Sequence, residues 1–217
     1  MLIDIHTHDS NIKPGQIKVL SIQLHPDTNL DEVLKTVPND ILISAGVHPW
    51  DASEWTTANF SLLVGMLLHP RIAFIGEIGL DKACTVPLED QFLVFELQLK
   101  LAEKFVKSVL IHMVGSQAEL IATKRKFKVI PLWIIHGFRG KAAMARQMVK
   151  SGFSLSFGQK YHSEALLSCP LDKLFLETDV SNTDLRMLYK TVAKEFGVTI
   201  EYLEKAISQN AIALGVK

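Results

Sequence analysis

Apolar positions along this chain follow two alternating rhythms. Short runs rich in Ile, Leu and Val alternate with longer stretches whose apolar residues recur every three or four positions. The short runs are Leu2–Ile5, Lys18–Leu24, Ile41–Gly46, Ile72–Ile75, Val109–Ile111, Val129–Ile135, Ser154–Phe157 and Leu174–Leu176. Between and after them lie helical patterns over Leu30–Val37, Trp55–Leu68, Gln117–Arg125, Ala142–Lys150, Asp184–Phe196 and Thr199–Leu214, with Thr199 placed as an N-cap. The clearest helix carries Leu88, Phe92, Phe95, Leu99 and Ala102 at four-three spacing, one apolar stripe. Pro87, Glu89 and Asp90 suit its first turn. Eight strands alternating with helices predict an α/β chain of the (β/α)8 TIM-barrel class, in one domain over residues 1–217. Only about ten residues separate the first two strands, near the ~10–12 minimum for a crossover that includes a helix. Asn11, Pro14 and Gly15 in that stretch oppose a helix, so the barrel is expected to be trimmed and to lack its first one.

Most of these strands end on polar residues, and barrels of this class place their active sites at the strand C-termini. The first run leads into His6-Thr7-His8. In a strand, residues i and i+2 face the same way, so both imidazoles can point into one space. The fourth run ends in Gly76-Glu77-Ile78-Gly79-Leu80-Asp81, the fifth in His112, the sixth in His136 and the eighth in Glu177-Thr178-Asp179. His6, His8, Glu77, His112, His136 and Asp179 are thus candidate metal ligands. Four imidazoles and two carboxylates can hold two divalent metals if one carboxylate, naturally Glu77, bridges. Two such metals can activate a water and stabilise both attacking and leaving oxygens. Asp179 can take the proton from that water. Taken singly, each residue has an ordinary structural explanation, such as a hydrogen-bonded strand histidine or a helix-capping aspartate. Ending strands of one barrel together, they favour the metal site.

Composition narrows the rest. Of 217 residues, 48% are hydrophobic, enough for a sizeable core. The 23 basic residues balance 23 acidic ones, so no global field draws the protein to nucleic acid or to an anionic membrane. Cys84 and Cys169 do not make a disulfide framework, and no leader or long uncharged apolar run is apparent. A cytoplasmic monomer that does not enter membranes is expected.

The motifs Asp4-Ile5-His6-Thr7-His8, Gly46-Val47-His48-Pro49, Gly76-Glu77-Ile78-Gly79-Leu80-Asp81, Ile111-His112, His136-Gly137-Phe138-Arg139-Gly140, Glu177-Thr178-Asp179 and Asn210-Ala211 run in that order across nearly the whole chain. With Gln91 and Phe95 following the fourth-strand block, they resemble the TatD-type metal-dependent deoxyribonucleases of the amidohydrolase-like barrels. The resemblance implies a divalent-metal hydrolase of phosphodiesters. It implies one metal held by His6, His8, Glu77 and Asp179, and a second held by Glu77, His112 and His136. Two departures bear on substrate choice. Met113, Val114 and Gly115 follow His112 where the family usually has a small residue, an arginine and an acid. Val180, Ser181 and Asn182 stand where it has a proline and an aromatic.

The expected substrate is a nucleic-acid end or a small phosphodiester or ester. The competing readings are hydrolysis of a non-nucleic ester, amide or aminoacyl bond on the same barrel, and a non-catalytic binding protein; the retained Asp179 weighs against the last. Mixed imidazole and carboxylate ligands suit zinc and manganese better than magnesium. His48, ending the third strand, and Arg139, three residues past His136, are the candidate substrate-binding residues. Arg139 is the nearest replacement for the cation that Val114 cannot supply. Trp50 and Trp55 either line the cleft or pack. His25, His69 and His162 read as structural or surface residues. Lys124, Arg125, Lys126 and Lys128 read as a solvated face away from the site.

Overall fold

In the computed structural model, residues 1–212 are described. The chain runs β1 Leu2–Thr7, β2 Gln16–Gln23, α1 Leu30–Thr36, β3 Leu42–Gly46, a 3-10 turn Pro49–Glu54, α2 Thr57–Leu67, β4 Ile72–Asp81 and α3 Leu88–Lys104. It continues through β5 Ser108–Val114, α4 Gln117–Lys124, β6 Trp133–Ile135, α5 Ala142–Lys150, β7 Ser154–Phe157 and α6 Ser163–Leu167. A 3-10 turn Leu171–Lys173, β8 Leu174–Leu176, α7 Leu185–Phe196 and α8 Ile200–Ile212 complete it. Strand order follows chain order from β1 to β8, and every described ladder is parallel. This is the strand order of the (β/α)8 class. No helix lies between β1 and β2, as the short crossover with Asn11, Pro14 and Gly15 requires. The expected continuation of the last helix to Leu214 reaches beyond the described residues.

The chain divides into two compact units, one of residues 1–20 with 134 onward and one of Ser21–Trp133. In the first unit, β1, β7 and β8 are buried along their whole lengths, as parallel strands covered on both faces must be. An isolated parallel bridge pairs Thr7 with Asp179 just past β8, joining the first strand to the end of the last. The Tyr189 hydroxyl on α7 takes the Ile3 N–H at 3.0 Å and donates to the Ile3 carbonyl at 2.9 Å, fastening that helix to β1. Asn210 on α8 donates to the Leu171 and Leu174 carbonyls at 2.7 and 3.0 Å. Thr199 caps α8 as expected, accepting from the Tyr202 N–H at 3.2 Å.

In the second unit, α3 buries Phe95, Leu99 and Ala102, but the same face also buries Gln91 and Gln98, each 1% exposed. Two strands differ from their sequence reading. β4 runs on to Asp81, because Gly79, at φ +149°, lets it close against β5; a Cβ there would collide with the His112 carbonyl oxygen. β6 begins only at Trp133: Pro131 has no N–H for a ladder, and Val129 is left 57% exposed. The short α6 was not apparent in the polar stretch around His162. Lys126 makes an exposed pair with Glu96 at 2.8 Å, which fits a solvated basic face.

Candidate metal centres

Each unit gathers its own group of metal-capable side chains. In the first, β1 carries His6, fully buried, and His8 stands just past the strand with its ring 5.1 Å from that of His6. The His136 ring lies 4.3 Å from His6. Asp179 Oδ1 is 3.6 Å from His6 Nε2 and 3.8 Å from His8 Nε2. Donor atoms of His6, His136 and Asp179 all lie within 4.8 Å of one another.

The backbone builds this group. Asp179 donates its N–H to the His6 carbonyl at 3.0 Å and accepts from the His8 N–H at 3.2 Å, on either side of the Thr7 bridge. Its φ of 53° is left-handed, a region that Asp enters more readily than most residues. The three residues of the Glu177-Thr178-Asp179 motif divide the work. Glu177, wholly buried, accepts from the Gly137 N–H at 2.6 Å and lies 3.6 Å from His136 Nδ1. Thr178 gives both its N–H and its hydroxyl to the buried Asp4 carboxylate, at 2.9 and 2.7 Å. Burial pushes the Asp4 carboxyl up to about 6, against these two hydrogen bonds, which pull it down. Asp179 is left facing the histidines with 22% of its side chain exposed.

In the second unit, His48, Glu77 and His112 bring their donor atoms within 4.8 Å of one another. Glu77 Oε1 is 2.7 Å from His112 Nδ1 and 3.2 Å from His48 Nε2. The other His112 nitrogen, Nε2, faces Asp81 Oδ2 at 3.1 Å. Asp81 also accepts from the Trp50 indole N–H at 2.7 Å and the Ala83 N–H at 2.7 Å. Burial pushes the Asp81 carboxyl up, but these donors and His112 outweigh it and hold it below the usual carboxylate range.

The buried glutamines of α3 set this geometry. Gln98 accepts from the Val47 N–H at 2.8 Å and donates to the Val47 carbonyl at 3.1 Å, holding the residue before His48. Gln91 accepts from the Asp81 N–H at 2.8 Å and donates to the Asp81 carbonyl at 3.0 Å. They are seven residues apart, two helical turns, and so share one face.

The donor sets fit divalent metals. A neutral imidazole carries one N–H and cannot donate to carboxylates at both nitrogens, as the His112 surroundings would require. Glu77 and His112 would hold a cation, with the Asp81 carboxylate taking the proton on His112 Nε2, the usual carboxylate–histidine–metal arrangement. His48 differs. Its Nδ1 accepts from the Trp50 N–H at 3.1 Å, so its proton lies on Nε2, which faces Glu77 as a donor rather than as a ligand.

Six sequence-singled residues thus fall into two groups, with His48 joining the second. Arg139 is exposed in the loop after β6. His25 and His162 are exposed, and His69 Nδ1 accepts from the Arg71 N–H at 3.3 Å, outside both groups. Asp4, Asp81, Glu177 and Gln98 were not singled out as site residues. The first three stand inside quoted motifs. Gln98 carries no sequence signal beyond interrupting an apolar stripe.

The chain is similar to several known proteins. Over 163 residues the chain is 32% identical to a 3'-5' RNA nuclease of Homo sapiens, covering 69% of this chain and 21% of that one. It is also 32% identical over 147 residues to a 3'-5' ssDNA/RNA exonuclease TatD of Cronobacter turicensis, covering 63% of this chain and 56% of that one. The chain therefore spans well under two thirds of the length of these relatives. A crystal structure of a TatD homologue from Escherichia coli superimposes with a TM-score of 0.85 at 20% identity, covering 98% of this chain and 97% of that one, and shows that the fold is the (β/α)8 barrel of that structure. The family model described as TatD related DNase matches residues 12–214, and with that span the chain belongs to the TatD-related DNase family.

Proposed function

We propose that this protein is a divalent-metal-dependent nuclease that shortens single-stranded nucleic acid from its 3' end. The reading rests on its relatives' activities, and above all on one observation: Asp179 stands partly open to solvent beside buried imidazoles. A purely structural metal site is closed, whereas a catalytic one keeps an open position. His6, His8, His136 and Asp179 would hold one ion, and Glu77 and His112 a second. Zinc and manganese suit these donors best. The bound ions would supply Lewis acidity and a water of lowered pKa.

The protein's own residues do the rest. Asp179 accepts the proton of the attacking water. Asp4 and Thr178 hold it in place for that transfer. Arg139, exposed on the loop after β6, is a charged donor for a substrate phosphate. The protein acts as a cytoplasmic monomer. Among the described residues, no helix is long and apolar enough to cross a membrane.

Purified protein should be assayed with manganese, zinc and magnesium on 3'-labelled and 5'-labelled single-stranded oligonucleotides. Stepwise loss from the 3' end, abolished by chelator and restored by metal, is the expected result. Hydrolysis of simple esters without any cleavage of oligonucleotides would replace the nuclease reading with that of a non-nucleic ester hydrolase.

A further inference from the structure

Trp50 is the second residue of the 3-10 turn that follows β3, and it is held in an unusual way. Its main-chain N–H donates to His48 Nδ1, and its indole N–H donates to Asp81 at 2.7 Å. Both edges of its attachment therefore lead into the second metal-capable group. Its ring stands edge-on to His48, with centroids 4.8 Å apart, and 6.1 Å from that of His112. Yet the residue is 58% exposed. Tryptophan is highly buried on average. This one has its single polar atom satisfied and its apolar surface left in water.

Core packing does not explain that arrangement, since the residue is more than half exposed and its ring contacts are with His48 and His112. Trp55, five residues later, shows the contrast: its ring stands edge-on to Phe60 at 6.4 Å, against an apolar neighbour rather than beside the metal-capable group. A hydrogen bond that fixes an indole in place while leaving it open costs little further rotamer freedom on binding. Fixed, exposed aromatic rings are what single-strand-binding proteins use to stack bases, and every base offers a π-face. A nucleobase is tied to its phosphate through one sugar. A phosphate drawn to a cation that Glu77 and His112 would hold therefore carries its base within reach of Trp50.

We propose that Trp50 is a stacking platform for a nucleobase of the substrate strand, next to the phosphate being cleaved. This deepens the nuclease reading and rests on it. Trp50 then sets a preference for ends that carry an intact base over ends that do not. It acts on binding rather than on the chemical step.

The test compares Trp50→Ala and Trp50→Phe with the unaltered chain on two single-stranded oligonucleotides. One has an intact 3'-terminal nucleotide and the other an abasic one. Both Kd, by fluorescence anisotropy of labelled strands, and the separate kcat and KM are measured. Stacking is worth ~1–3 kcal/mol per base, so Trp50→Ala should weaken the intact end by roughly 5- to 150-fold. The abasic end should change by less than about 2-fold. Trp50→Phe keeps a π-face but loses the bond to Asp81, and should recover most of the loss. Equal losses on both ends, or Trp50→Phe as damaging as Trp50→Ala, would show that Trp50 acts only through Asp81 and overturn the proposal. So would an unchanged Trp50→Ala. If the unaltered chain binds no oligonucleotide at all, the nuclease reading fails and this proposal with it.

Discussion

The two groups of candidate ligands use the same chemistry but are positioned by different means. His6, His8 and Asp179 are placed mainly by the main chain, with Glu177 and the Asp4–Thr178 pair bracing the residues beside His136 and Asp179. Two backbone hydrogen bonds flank the Thr7–Asp179 bridge and set where Asp179 points. His48, Glu77 and His112 depend on side chains brought from elsewhere. Two glutamines on α3 hold the backbone at Val47 and Asp81, and Asp81 orients His112. The first group should keep its geometry when a functional atom is changed, because the ladder does not use side chains. The second should loosen when a supporting residue is altered, even one that never meets substrate.

The largest effect is expected at Asp179. Asn tolerates the left-handed backbone and leaves both flanking main-chain bonds intact, so Asp179→Asn should fold normally. It cannot take a proton from water. Turnover should fall by ~10²–10⁴-fold, the loss typical for one positioned general base. Single-turnover kinetics beside a thermal melt would check this. A melt that shifts as much as the rate falls would show that the main chain does not hold the group alone.

A smaller effect is expected at Asp81. One of its oxygens accepts from Ala83 and the other from Trp50 and His112, so both sides must be acceptors. An amide offers only one. Asp81→Asn should therefore misorient His112 and weaken metal binding at that group by ~10–100-fold, the usual effect of losing such a support. Competition titration with a chelating dye should resolve two classes of site, of which only one weakens. Equal weakening of both classes would erase the distinction drawn between the groups.

The smallest effect is expected at Gln98, which is not a ligand. Gln98→Leu fits the apolar face of α3 but strips the buried Val47 N–H and carbonyl of their partner. Each buried polar group left unsatisfied costs about 1–3 kcal/mol. For a chain of this size, each kcal/mol should lower Tm by roughly 2–4 °C. Calorimetry would measure it, and an unchanged Tm would mean that the amide clamp does not support the second group.

Much of this was legible in the chain. Strand-ending polar residues after apolar runs marked His6, His8, Glu77, His112, His136 and Asp179, because a strand's period of two makes facing predictable from spacing. The missing first helix was legible too, since ten residues with Pro14 and Gly15 cannot supply one. Other features were not. Gln98 sits at a helical position where a polar residue reads as an interruption, and only the approach of Val47 makes it a clamp. Asp4, inside the first apolar run, does not reveal that Thr178 will meet it 174 residues later.

What the sequence determined by itself was periodic and local: the alternation of strands and helices, the trimmed first crossover, and the residues able to bind metal. These follow from steric preferences and side-chain chemistry that act within a few residues. Tertiary structure alone decided which groups meet. It brought candidate ligands together within each unit, put the His48 proton on Nε2 by giving Nδ1 an N–H to accept, and left Trp50 pinned at its edge and bare on its face. Each of these depends on distances between residues far apart in the chain or on burial. Neither is encoded in spacing, because both arise only when every element has found its place in the fold.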